Sequence, residues 1–407
     1  MLWLSGLLLG ALHAPHELLP LRHALLREPR AHPAVCSSSR AAVVDTPPVV
    51  VLGATGYIGK AVVSELVARG RPTIAFIRPG ASVPVELEGA TVVEGDVEQD
   101  RGGHLTEAIK GASGVISCIS SRSGKKDEVW RVDYGASELA LRLLAEHGAD
   151  RAAYVLLSAI CVKNPVLHLH SAKLAVEKCL AESDVPHVIV RPSAYFKSIS
   201  AQVPNVVAGK PYVLFGDGTH TKCNAMGQRD LANLLVDSLD NAPTKGEIIE
   251  IGGPGVPITP RRQSQLIFQM AGLEPKYVFV PLALLDFIVN VFEFAERVAP
   301  SIASDLAESA RIARFYATED MIGPSNPTYG HERIEDFYSS AVSRAQESDE
   351  DLGLPASSVL ASLVLSNSPL FIAGALVFGI FSLFDPLSSS PQQAATALLA
   401  SSEMYQL

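Results

Sequence analysis

From residue 48 the chain alternates short apolar runs with stretches in which apolar residues recur every three or four positions. "PVVVLGA" reads as a buried strand, "GYIGKAVVSELVARG" as a helix closed by glycine, and "PTIAFIR" as a second strand. "ATVVEGDV" is a third strand, "HLTEAIKGA" a short helix, and "GVISCIS" a fourth strand followed by a helix near 132–148. "AAYVLLSAI" gives a fifth strand, "SAKLAVEKCLAES" a helix, and "HVIVRPS" a sixth. Unbroken β-rich runs bury both faces of a strand. Their alternation with amphipathic helices predicts an α/β fold, a Rossmann-type doubly wound parallel sheet, over 48–193. After 200 the alternation loosens into "KPYVLFGDG", "QRDLANLLVDSLD", "GEIIEIGGPG" and "TPRRQSQLIFQMAG", the last opened by Thr-Pro and closed by glycine as a helix should be. These segments are expected to form a smaller C-terminal substrate lobe over 194–340.

Both ends break the pattern. Residues 1–47 begin with "LWLSGLLLGALHA", a signal-like apolar run. "PLRHALLREPRAHPAVCSSSRAAVV" follows, with four arginines, a serine cluster and one acid, which is transit-like. Such a bipartite targeting presequence serves plastids bounded by extra membranes. Residues 341–356 read as an acidic linker. Residues 357–407 read as a hydrophobic tail whose unbroken run, 370–384, has 15 apolar or small residues. About 20 are usual for a span, so a membrane anchor is expected only if the flanking residues join it.

Composition narrows the function. With 48 % hydrophobic and 19 % charged residues the chain can bury a large core, and a net charge of −10 argues against a nucleic-acid partner. The five cysteines, Cys36, Cys118, Cys161, Cys179 and Cys223, are scattered and include no CxxC, so neither a disulfide framework nor a metal cage is expected. Cys118 and Cys161, in apolar runs, read as buried structural thiols.

The strongest local chemistry is "VVVLGATGYIGKAVV". Gly53, Gly56 and Gly59 end a strand and open a helix: a tight turn, a close backbone approach to a pyrophosphate, and close helix–strand packing. Thr55, Tyr57 and Ile58 complete that turn, and the helix start offers free N–H groups to the phosphates. Where an NAD site often carries an acid at the end of the second strand, this chain has Arg78, which favours a 2′-phosphate and hence NADPH. Asp96 and Val97 follow the third strand within reach of an adenine, and Ser117 closes the fourth, whose backbone would line the cofactor. Ser158 and Lys173 stand where short-chain reductases keep a catalytic serine and lysine, and Pro192 and Ser193 end the sixth strand. The tyrosine expected one helical turn before the lysine is absent: position 169 is leucine. His168 and His170 are two residues apart, so a helix turns them to different faces and a shared metal is not expected; His170 reads as a loop histidine. Tyr195 is a packed aromatic that could face the nicotinamide.

"GATGYIGKAVV", "SAICVKNPVLHLHSAKLAVE", "VRPSAYFKS", "KPYVLFGDG", "IGGPG" and "ARFYATEDM…PTYGHERIEDFY" together resemble the plastid divinyl chlorophyllide 8-vinyl-reductase family, atypical short-chain reductases, over about 48–340. That family pattern also lacks the tyrosine and keeps the lysine. The resemblance implies an NADPH-dependent oxidoreductase of chlorophyll biosynthesis that reduces a vinyl group on a magnesium chlorin to ethyl, in the chloroplast. It places Gly53, Thr55, Gly56, Tyr57, Ile58 and Gly59 at the pyrophosphate and Arg78 at the 2′-phosphate. It also places Asp96 and Val97 at the adenine, Lys173 at the ribose, and Pro192 and Ser193 beside the nicotinamide. Two alternatives stay open. One is a non-catalytic NADP-binding redox sensor or assembly factor of the same superfamily. The other is an isoflavone-reductase type of enzyme, which fits 211–218 and 313–338 less well.

Overall fold

The structure, a computed structural model, describes residues 46–352 apart from 123, 245 and 324. The presequence up to 45 and the hydrophobic tail lie outside the described residues. Among the described residues no helix is long and apolar enough to cross a membrane.

The first half runs β1 (Val49–Leu52), α1 (Tyr57–Ala68), β2 (Thr73–Ile77), β3 (Thr91–Glu94), α2 (His104–Ile109), β4 (Gly114–Ser117), α3 (Lys126–Val129), α4 (Ser137–His147), β5 (Ala153–Leu157), α5 (His168–Glu182) and β6 (His187–Pro192). The second half runs α6 (Phe196–Ile199), α7 (Val203–Val207), β7 (Tyr212–Phe215), α8 (Gln228–Asp240), β8 (Glu247–Ile251), α9 (Pro260–Ala271), β9 (Tyr277–Val280), α10 (Leu282–Val298), α11 (Pro300–Thr318) and α12 (Ile334–Leu352).

Seven parallel strands form one sheet in the order β3-β2-β1-β4-β5-β6-β8. The alternation of a fully buried strand is visible in β1. Val49 and Val51 pack with α1 and α8 on one face, and Val50 and Leu52 with α2 and α4 on the other. Chain direction across the sheet switches between β1 and β4, and the loops after those two strands frame the crevice where doubly wound sheets bind ligands.

The expected division at 193 needs a correction. β8 pairs with β6 as the last strand of the sheet, and Leu231, Leu235 and Val236 of α8 belong to the core of the β1 face. Residues 228–251 therefore return to the dinucleotide-type domain. The second lobe is what remains: the parallel pair β7–β9, helices α7, α9 and α12, and the hairpin of α10 with α11. Residues 341–352, acidic and linker-like in sequence, continue α12, whose Tyr338 and Val342 are buried in that lobe's core. On α10, Phe287, Val291, Phe294 and Val298 remain exposed along one face.

Candidate active site

The glycine turn is built as its spacing demands. Gly53 has φ +72°, and a Cβ there would lie 2.7 Å from the Cys118 carbonyl oxygen. A Cβ on Gly59 would lie 2.1 Å from the Gly53 carbonyl, so only glycine lets α1 sit this close to β1. The N–H of Gly56 donates to the Gly53 carbonyl at 2.9 Å, and α1 begins at Tyr57 with neither a side-chain cap nor an acid in its first turn. Its leading N–H groups and dipole are thus left for an anion such as a pyrophosphate.

Arg78 follows β2 and is exposed, with no ion pair among the described residues. Partial burial and the neighbouring Arg122 hold its guanidinium below the usual arginine range. Arg122 therefore lies near Arg78, with the carboxylates of Glu128 and Glu98 acting on it in the opposite sense, and Arg122 had no signature in the sequence. Asp96 spends one carboxyl oxygen on its own loop, accepting from the N–H groups of Glu98 (2.9 Å) and Gln99 (3.3 Å). Val97 is half-buried against the core of the β1–β5 strands. Ser117 is turned inward, its Oγ 3.3 Å from the Ser137 Oγ, so only its backbone borders the crevice.

Lys173 sits on α5, 8 % exposed, and donates to the Leu157 carbonyl at 3.2 Å where β5 ends. Its Nζ lies 3.6 Å from Oδ1 of Asp133, which is fully buried. Asp133 projects from a π-helical stretch, Trp130–Ala136, and accepts from the Ser121 N–H at 2.9 Å through its other oxygen. π-bulges recur at functional sites because they re-aim one side chain. Asp133 was not among the residues singled out from sequence. Leu169, half-buried, occupies the tyrosine's place.

Ser158 differs from expectation. It is buried and donates to Oε1 of Glu177 at 2.5 Å. Glu177 also receives Arg191, and Arg191 reaches Glu250 at 3.2 Å, which pairs in turn with Lys163. The serine proton is committed to a buried carboxylate, so Ser158 holds structure here and is not poised to donate to substrate. Ser193 is likewise engaged, donating to the Met321 carbonyl and accepting from the Asn224 N–H at 3.1 Å. With Pro192, the last residue of β6, it borders the crevice by backbone alone.

Over the crevice stand groups from both lobes. Tyr195 packs on Tyr57 with ring centroids 6.3 Å apart, and burial above all, then the nearby thiols of Cys118 and Cys161, pushes its phenol far up. Desolvation pushes those thiols up to about 12 and about 11, so both stay protonated, but each is half-buried and not, as expected, fully buried. α5 begins at His168, three residues earlier than expected, so His170 is helical and buried, not a loop residue. Its ring meets Phe315 of α11 edge-on at 4.7 Å, and burial pushes its pKa down to about 4.

Residues 53–242 match the NAD(P)H-binding family model. The fold resembles a putative epimerase from Burkholderia cenocepacia, with TM-score 0.55 and 14 % identity over 74 % of this chain and 99 % of that one. A glycine turn at the switch point and a lysine clamped at the end of β5 define an NAD(P)H-binding protein of the short-chain reductase fold, one without the usual tyrosine. The chain is 35 % identical to the chloroplastic divinyl chlorophyllide a 8-vinyl-reductase of Cucumis sativus over 74 % of its own length and 78 % of that protein's. It belongs to the divinyl chlorophyllide a 8-vinyl-reductase family. Similarity to the photosystem II assembly factor Ycf39 of Synechocystis is lower, 21 % over 75 % of this chain and 94 % of that one.

Proposed function

We propose that this protein reduces the 8-vinyl group of divinyl chlorophyllide a, or a related divinyl magnesium tetrapyrrole, to ethyl with NADPH in the chloroplast. The observation that carries the reading is the pairing of a fully built lysine clamp with leucine at position 169. A carbonyl reductase needs an acid there to protonate one developing alkoxide. Charge that develops beside a conjugated macrocycle spreads over many atoms, so a single placed phenol is less necessary. NADPH bound at the glycine turn would supply the hydride. The chain's part is to hold and orient: Gly53–Gly59 at the pyrophosphate, Arg78 with Arg122 at the 2′-phosphate, and the Asp96–Val97 loop at the adenine. Lys173, fixed by Asp133 and the Leu157 carbonyl, holds the ribose. Pro192 and Ser193 offer backbone beside the nicotinamide.

The second lobe covers a flat apolar pigment, and burial of its rings provides much of the binding energy. Desolvation pushes the phenols of half-buried Tyr195 and of its neighbour Tyr316 up, so each keeps a proton of the kind a vinyl carbon would need. The assembly-factor reading shares the fold and can share the ribose-holding lysine; it fits less well because similarity to such a protein is 21 %, against 35 % to the vinyl-reductase.

The test is the full chain with NADPH and divinyl chlorophyllide a, in mild detergent on account of the apolar face of α10. The Soret band should move to the blue, only with NADPH, and Lys173→Met should slow the change about 100-fold, the scale of a misplaced reactant. NADPH binding with no band shift would make the protein a cofactor-binding factor instead.

A further inference from the structure

We infer that His170 is the protein ligand to the magnesium of the tetrapyrrole substrate. The inference rests on the vinyl-reductase reading and adds how the macrocycle is held.

His170 is 1 % exposed, yet neither Nδ1 nor Nε2 has a hydrogen-bond partner. Leaving a buried polar group unpaired costs about 1–3 kcal/mol, and at least one ring nitrogen carries that cost here. The Asn164 backbone lies near enough to favour a proton on the ring without making an aligned hydrogen bond. An imidazole with one nitrogen turned to a backbone carbonyl presents the other as a lone pair, the form in which histidine binds metals. Burial keeps the ring neutral at the pH of a chloroplast, so no proton competes for that lone pair.

Position supports the role. His170, Lys173 and Glu177 form one buried stripe of α5. Lys173 meets β5 at its C-terminal end, and α5 descends from there, so His170 stands about one turn, roughly 5 Å, further out over the crevice. In a pigment whose rim vinyl lies at the nicotinamide, the metal at the ring centre is displaced outward on a similar scale. Magnesium held by four pyrrole nitrogens keeps an axial position that a neutral imidazole can fill. The Phe315 ring on α11 now covers the imidazole and would give up that place to the macrocycle.

The test titrates the full chain, in mild detergent with NADP⁺ to allow binding without turnover, against divinyl chlorophyllide a and the same pigment with magnesium replaced by two protons. The expected result is a preference of roughly tenfold, about 1.4 kcal/mol, for the magnesium pigment, with the visible-band shift of an added axial ligand. His170→Phe should lose both the preference and the shift while keeping NADP⁺ binding. His170→Gly should regain the shift with added imidazole, and it decides the matter if the phenylalanine variant fails to bind NADP⁺. A preference absent in the wild type, or surviving in His170→Phe, overturns the inference. The vinyl-reductase reading is judged separately, by NADPH-dependent reduction in the wild type.

Discussion

Arg78 shows what one side chain decides. It ends β2 where an acid would accept from a ribose hydroxyl, near Arg122 and within the field of Glu128 and Glu98. Arg78→Ala should raise KM for NADPH about tenfold and leave KM for NADH unchanged, the loss of one charge-assisted phosphate contact; steady-state kinetics with both cofactors checks it. Arg78 was legible in the sequence because a strand end and a glycine turn fix its place locally. Arg122 was not, since only the fold brings it to Arg78. Lys173 was legible by its spacing from Ser158, whereas Asp133, its buried partner, comes from 40 residues upstream on a π-helical bulge that no periodicity announces. Ser158 was placed correctly and its engagement misjudged, because the Glu177 and Arg191 that bind it are ordinary helix and strand charges in sequence.

Among the elements, α5 explains why His170 looks like a loop residue in the sequence. Its N-cap, Leu167, has no side chain that can cap, so the helix start carries no local signal. The cap comes instead from α11, where Oε1 of Glu308 accepts from the His168 N–H at 2.9 Å, 140 residues away in sequence. α11 is itself tied to α10 through Arg311, which reaches Glu296 at 2.9 Å and Glu293 at 3.7 Å. The Arg311 hydrogen bond holds the Glu296 carboxyl below its ordinary range. A carboxylate depressed in the folded state contributes stability above its unfolded pKa, about 4.3, and loses it as pH falls through the folded value. Protection factors of backbone amides in α10 and α11, which divide out the intrinsic pH dependence of exchange, should therefore fall below about pH 4.5, and Glu296→Gln should remove part of that fall. Protection factors that are flat with pH in the wild type would contradict it.

For the whole molecule, the sheet was legible because fully buried strands such as Val49–Leu52 read as continuous apolar runs, but the membership of its last strand was not. "GEIIEIGGPG" reads as a strand, yet β8 has two exposed residues at its start, so nothing in its pattern assigns it to the main sheet and not to the second lobe. Its pairing with β6 and the packing of α8 on the β1 face make the two lobes interdependent. A fragment of residues 48–193 should be recovered insoluble or bind a hydrophobic dye strongly, while 46–352 should remain soluble and cooperative in urea; a soluble, cooperatively unfolding 48–193 would contradict the topology. The charge chain Ser158–Glu177–Arg191–Glu250 carries a consequence for biosynthesis. Its last member lies 59 residues beyond Arg191, so the network closes only once the chain through β8 has been delivered. Until then β6 has one open edge, and its arginine has one carboxylate fewer than it will finally hold. The chain is then most open to mispairing, so import into an organelle has to release residues up to 250 before the sheet can close.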